Sequence, residues 1–341
     1  FPHLMLRAKA VKYKKGEART RDKILTSTDT VGKLAGIPIV VNVVNASNKN
    51  STMRNVLEKT LGVSARAHVP EYHSKTYRKA HSSNSAVTET QAKPGENTNG
   101  KVALFATCSG NYNEPNVAKD MVAVLEHNGI PVTLAEKEQC CGMPKLELGD
   151  LEAVEQSKNV NIPALAKLVD EGWDLISPVP SCTLMFKQEL PLMFPEDADV
   201  RKVADAFFDP FEYLAQRNKE GLLNTDFKGS MGKVSYHVAC HQRVQNIGPK
   251  TRDVLGLIPG IEIDTIERCS GHDGTYGVKA ETFDLAVKIG RPVANRVKKN
   301  EPAHSTSDCP IAGHHIGNMI GDGASPTHPM SLLRLAYGLG E

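Results

Sequence analysis

Several absences frame this 341-residue chain. It has no apolar run near the roughly 20 residues that a membrane-crossing helix needs. The longest, Ile37-Pro38-Ile39-Val40-Val41-Asn42-Val43-Val44, is short and interrupted, so no helical span is expected. No charged leader, apolar stretch and cleavage site stand in series at the N-terminus. The chain is therefore expected in a reducing, cytoplasmic setting, where structural disulfides are uncommon. An odd number of cysteines, seven, also argues against a closed disulfide framework. Cys-x-x-Cys, the chelating pair of zinc ribbons and fingers, does not occur, and no cysteine precedes Cys108. The start at Phe1 instead of Met suggests a fragment or a trimmed chain, with something upstream missing.

Net charge is nearly absent too, at +2, but it is unevenly spread. Residues 1–82 carry sixteen Lys or Arg against five Asp or Glu, whereas residues 100–341 carry twenty-four against thirty-two. The N-terminal arm and the body are thus different surfaces. The arm is expected to lie on anionic lipid, on an acidic protein, or simply in solvent; nucleic acid is disfavoured because no binding motif accompanies the charge.

The order of elements separates four regions. Residues 1–82 form a basic, mainly helical extension, with amphipathic helices expected at Leu4–Lys15 and Thr52–Leu61. Residues 83–100 are polar and rich in turn formers, and read as a linker. From 101 the pattern alternates strand and helix: strands at 101–107, 130–135 and 174–179, helices at 116–128 and 162–171. The order recurs from 230, with strands at 233–239, 261–266 and 303–307, and helices at 251–258 and 280–299, the last interrupted near Pro292. An α/β fold follows, made of two tandem homologous modules, 101–229 and 230–341, each a parallel sheet flanked by helices and related by an approximate two-fold.

The cysteines carry the repeat. Cys108, Cys140 and Cys182 match Cys240, Cys269 and Cys309 at offsets of 132, 129 and 127, and Cys141 matches Ser270. A lone buried cysteine is usually a small hydrophobe. A set recurring in order behind strand ends is different, because such ends converge at the carboxyl edge of a parallel sheet. The first module supplies four thiolates, Cys108, Cys140, Cys141 and Cys182. The second supplies three, Cys240, Cys269 and Cys309, with His241, His272 and Asp273 beside them as candidate fourth ligands. Iron-sulfur clusters and structural zinc both take about four such ligands, so their number leaves zinc open, and a metal-free thiol-disulfide chemistry at Cys140 and Cys141 stays open as well.

Other patterns are weaker. His237, His241 and Arg243 flank Cys240 and are candidates for tuning or ligating a centre there. On the expected helix after Cys309, at most one of His314 and His315 should face the site, and exposure is their commoner fate. Gly271, Gly274 and Gly277 follow no strand-to-helix turn, which disfavours a phosphate loop. Ser270, His272 and Asp273 lack a nucleophile elbow, which disfavours a hydrolase triad.

The motifs Cys140-Cys141-Gly-Met-Pro144, Pro180-Ser-Cys182, His237-Val-Ala-Cys240-His-Gln-Arg243, Cys269-Ser-Gly-His-Asp-Gly274 and Ser307-Asp-Cys-Pro310 resemble the cysteine-rich, or CCG, domain family. That family includes subunits of heterodisulfide reductase and of anaerobic glycerol-3-phosphate dehydrogenase. The resemblance covers 101–341, and it implies iron-sulfur clusters of the 4Fe-4S type, one or two per chain, with zinc at one site in some relatives. It also implies electron transfer between a flavoprotein dehydrogenase or ferredoxin-like partner and a quinone or disulfide, in the cytoplasm or peripherally on its membrane. The fullest family pattern has a further cysteine where this chain has Met185 and Ala312, and a cysteine at Ser270, so a five-thiolate site is not expected in either half.

Overall fold

A computed structural model describes residues 2–82, 92–321 and 326–340. The body contains two parallel sheets flanked by helices. In the first, β1 (Val102–Leu104) lies between β2 (Val132–Leu134) and β3 (Asp174–Ile176), with a short β4 (Phe207–Phe208) beyond β3. In the second, β5 (Lys233–His237) lies between β6 (Glu262–Ile266) and β7 (His304–Ser307). Every pairing is parallel. β1 and β3 are buried along their length, as a strand covered on both faces must be; this accounts for the apolar run of β1, and in β3 the buried Asp174 is satisfied by Asn99.

The expected strands are all present, while two helices differ from the sequence reading. Helix Leu151–Asp170 begins eleven residues before Ile162, because Pro163, which resembles a first-turn proline, sits inside it. Asp150 caps the true start by accepting from the Ala153 amide. Helix Ala280–Asn300 runs through Pro292 without interruption. The lost backbone bond is offset by a continuous buried face of Phe283, Ala286, Val293, Ala294 and Val297.

One hydrophobic core serves both sheets, joining Val102, Leu104, Met121 and Ile176 to Val234, Leu255, Met330 and Leu333. The helices that close it are exchanged between the halves. Helix Pro210–Lys219 packs on Lys250–Leu255, and the C-terminal helix Pro329–Ala336 packs on Pro115–His127. A second core, on the other side of the first sheet, gathers Phe105, Val154, Leu165, Met185, Phe186 and Phe207 around Cys140, Cys141 and Cys182.

The N-terminal arm contains α1 (Pro2–Lys14), α2 (Thr20–Leu25), α3 (Thr28–Ala35), α4 (Val40–Lys49), α5 (Ser51–Leu61) and α6 (Tyr77–Ser82). Among the described residues part of its charge is used against the body. Lys9 pairs with Glu147 at 2.8 Å and Arg78 with Glu138 at 2.9 Å in the first half. Arg21 reaches Glu281 and Lys279 reaches Asp22 in the second. The Ser64 amide also donates to Val278 O, and the Ala280 amide to Gly62 O. Of the expected linker, 83–91 lies outside the described residues. The remainder is tied to the first half, where Asp174 accepts from the Asn99 amide and Arg217 donates to Lys93 O.

Buried histidines set the acid response of the fold. His328 donates from Nε2 to Pro178 O and accepts at Nδ1 from the Met330 amide, a neutral tautomer, and burial pushes its pKa down to about 4. The unfolded chain protonates near 6.5, so this contribution is whole above that pH and is lost as the pH falls toward 4, up to ~3 kcal/mol. His237 and His68 behave alike, each pushed down to about 4, first by burial. Thermal unfolding followed by circular dichroism should show a falling midpoint between pH 6.5 and 4. His328→Asn, which keeps a helix cap but cannot titrate, should make that fall shallower.

Candidate metal centre at the strand ends

All seven cysteines are free thiols, and each lies within seven residues after the carboxyl end of a strand. Three features bring the first set together. Thr107, just before Cys108, is held at φ 66°, a conformation costly for a β-branched residue. Its amide donates to Glu138 at 2.8 Å, and its hydroxyl caps the short helix carrying Cys108 by accepting from the Gly110 amide. Glu138 also takes the Ala106 amide and Arg78, and burial still lifts its carboxyl to about 7. Gly142, after the cysteine pair, turns the chain at φ 96° into helix Met143–Leu148, which a side-chain-bearing residue would resist. Cys182 follows β3 on a short helix opened by Pro180, and the chain then widens into a π turn over Met185–Glu189.

The outcome is a linked thiol group. Cys108 and Cys141 lie close enough to Cys140 and Cys182 for the thiols to feel one another's charge. Cys140 is drawn well below the usual thiol range by its two neighbours Cys108 and Cys141, and the same proximity pushes Cys108 and Cys141 up. Met185, where the family pattern has a further cysteine, is fully buried beside Gly142 and brings no thiolate.

Sequence reasoning missed what the arm contributes here. The Thr28 hydroxyl, at the start of α3, donates to Cys140 Sγ at 3.4 Å, and the Asp29 carboxylate accepts from the Cys140 amide. Lys145 donates to Ser27 alongside. Beside this contact a cavity of about 220 Å³ opens between arm and body, lined by Asp29, Arg78, Cys108, Tyr112 and Glu138 among others. No local pattern in the sequence signals a pair 112 positions apart.

In the second set, Cys240 and Cys269 are exposed and Cys309 is half-buried. The proximity of Cys240, together with the Gly271 amide that donates to the Cys269 sulfur, draws Cys269 down to about 6, and the same proximity pushes Cys240 up. Cys309 is pushed up, first by burial. Of the candidate fourth ligands, Asp273 lies close enough to Cys269 to act on its charge, while His241 and His272 are engaged elsewhere. His241 bonds Ser181 Oγ at 2.8 Å, and the His272 ring packs edge-on against His315. His237 bonds Ser307 and Arg268 O. Neither helical histidine is an exposed one. His314 stacks on His68 and bonds Glu114 at 2.6 Å, and His315 is buried against Phe283, because the arm and the first half cover one side of that helix and helix Ala280–Asn300 covers another.

The carboxyl edges of the two sheets face each other. Beyond the His241–Ser181 bond, Gln245 donates to Pro180 O and His328 to Pro178 O, and the thiols of Cys182 and Cys309 sense each other's charge. Among the described residues no three His, Cys, Asp or Glu side chains already stand at metal-ligating geometry. The chemistry of the first donor set nonetheless suits a cluster: four thiols in one apolar pocket, one of them already favoured as the thiolate.

Residues 102–187 match the model of the cysteine-rich domain, CCG. Over 335 residues the chain is 28% identical to a component of the anaerobic glycerol-3-phosphate dehydrogenase of Escherichia coli K12, covering 98% of this chain and 81% of that one. It is 28% identical over 247 residues to a component of the CoM/CoB fumarate reductase of Methanothermobacter marburgensis, covering 71% and 47% respectively. It is also 27% identical over 229 residues to an uncharacterized iron-sulfur protein of Methanocaldococcus jannaschii, covering 67% and 43%. The resemblance read from the motifs therefore holds: residues 102–187 match the cysteine-rich domain, and the chain is similar to subunits of an anaerobic dehydrogenase and of a reductase.

Proposed function

We propose that this chain, with its CCG domain at 102–187, is the iron-sulfur electron-transfer subunit of an anaerobic-type redox complex. The observation that carries this reading is the meeting of Cys108, Cys140, Cys141 and Cys182, from three strand ends, in one linked thiol group. These four would hold a 4Fe-4S-type cluster. Cys240, Cys269 and Cys309 would hold a second centre, iron-sulfur or zinc, in which a non-cysteine group must complete the ligand set. Bound there, a cluster would supply reversible one-electron chemistry.

The chain's own residues would fix the ligand geometry and exclude water. The apolar core around Cys140, Cys141 and Cys182 does the second, and Thr107, Glu138 and Gly142 do the first. The exchanged helices and the matching strand orders, each sheet having its first strand in the middle, support two tandem modules, 101–229 and 230–341, with 1–82 as arm and 83–100 as linker. Electrons would come from a flavoprotein dehydrogenase or a ferredoxin-like protein and leave to a quinone or a disulfide, in the cytoplasm or at its membrane face. The names of the relatives, subunits of larger enzymes, support a need for partners.

Anaerobic purification followed by visible spectroscopy and metal analysis tests the proposal. A broad band near ~400 nm bleached by dithionite, with iron and acid-labile sulfide, is expected. Colourless protein with stoichiometric zinc would sink it. The arm should tune the centre. Thr28→Val removes a hydrogen bond to Cys140 Sγ, and such a donor favours the more negatively charged, reduced state. A midpoint potential lower by a few tens of millivolts is expected in a redox titration, the size of one ordinary hydrogen bond at one electron.

A further inference from the structure

The loop that carries Cys140 and Cys141 lies between β2, which ends at Leu134, and helix Met143–Leu148, and belongs to neither. Among the described residues no backbone-to-backbone hydrogen bond reaches Gln139, Cys140 or Cys141, so neither a sheet ladder nor a helical turn sets where the cysteine pair stands. A loop released in this way samples several backbone conformations, and gathering its sulfurs about a metal would cost the entropy of ordering it.

A side chain from another element takes over the task. Asn161, in the middle of helix Leu151–Asp170, accepts the Gln139 amide at Oδ1, 2.8 Å away, and donates from Nδ2 to the carbonyl oxygens of Gln139 and Cys140, each at 3.2 Å. The amide donor demands the oxygen and the two carbonyls demand the nitrogen, so the partners themselves fix which way the carboxamide points. Asn161 is 1% exposed, and it is the one polar side chain on the buried face of its helix, whose other members are Val154, Ile162, Leu165 and Ala166. Asparagine is a poor choice for a helix interior and costly to bury unless bonded, and all three of these bonds go to the cysteine loop. The Cys140 amide, which Asn161 does not reach, is taken by Asp29 of the arm. Every backbone polar group of the Gln139-Cys140 pair is therefore held by a side chain from elsewhere in the chain.

We propose that Asn161 is a positioning residue of the first centre. It acts only through the main chain: by clamping Gln139 and Cys140 it holds the Cys140 and Cys141 sulfurs where those of Cys108 and Cys182 can join them. The proposal deepens the metal-centre reading and rests on it, but it concerns the arrangement of the donors and so applies to an iron-sulfur cluster and to zinc alike.

Cobalt(II) titration of the metal-free full chain tests this, with Cys269→Ser present in every protein so that the second set is weakened and the first is read. The sulfur-to-cobalt charge-transfer band grows with the number of thiolates bound. Loss of an outer-shell partner lowers metal affinity by roughly 10–100-fold, so Asn161→Ala should weaken cobalt binding by about tenfold or more and leave a smaller band at saturation. Asn161→Asp keeps the acceptor for the Gln139 amide and gives up at least one donor. It should fall between the parent and the alanine variant, and it carries the test if the alanine variant does not fold. Thermal melting of the same metal-free proteins separates positioning from plain support of the fold. Variants that melt lower yet bind cobalt as tightly as the parent, with the parent's band, overturn the proposal and leave the metal-centre reading standing. A parent protein that takes up no cobalt overturns both.

Discussion

Replacing Cys140 with serine is expected to abolish metal loading at the first centre. Cys140 is the junction of the thiol group: it is coupled to Cys108 and Cys141 and accepts from the Thr28 hydroxyl, and the thiolate, the ligating form, is favoured there and not at Cys108 or Cys141. A serine hydroxyl is a far poorer ligand for iron and does not draw the neighbouring thiols inward. Iron and acid-labile sulfide per chain should fall by the whole content of one cluster, and the visible band should fall with them. Cys269→Ser, in the exposed second set, should leave the first centre's iron in place. Equal losses from both substitutions would mean that the seven thiols serve one shared centre, contrary to the proposed division.

The other large effect concerns a glycine with no chemistry of its own. Gly271, two residues after Cys269, has φ 82°, and an added β carbon would lie 2.0 Å from the Ala286 carbonyl oxygen and 3.0 Å from the Gly290 nitrogen. The cysteine-bearing loop thus rests directly on the backbone of helix Ala280–Asn300. Gly271→Ala has to move a helix or a loop, and should destabilise the fold by ~3 kcal/mol or more through overpacking and backbone strain. Gly274→Ala is the control. Its φ of 50° is also positive, yet no atom lies within 4 Å of the added carbon, so only about 1 kcal/mol of strain is expected. Chemical denaturation of both variants reads the difference; a similar small cost for both would show that the close contact at Gly271 is soft.

Much of the body was legible because its signals are local. The apolar run at 102–106 marks a strand wherever it occurs, and a cysteine placed behind a strand is sent to the same sheet edge by the parallel topology itself. The limits were also physical. Pro163 and Pro292 resemble helix boundaries in sequence, but here buried faces carry the helices past them. His314 and His315 were expected at the surface because their own helix says nothing about His68 and Glu114, which approach from other elements. The contacts of Thr28 and Asp29 with Cys140 depend on how the arm docks, and pairs more than a hundred residues apart leave no period or spacing behind.

Docking of the arm has a temporal side. Thr28 and Asp29 leave the ribosome before Cys140 and Cys182, so the part that covers the thiols is made first but has nothing to seat upon until the first sheet exists. During that interval the pocket is open on the side that α3 later closes.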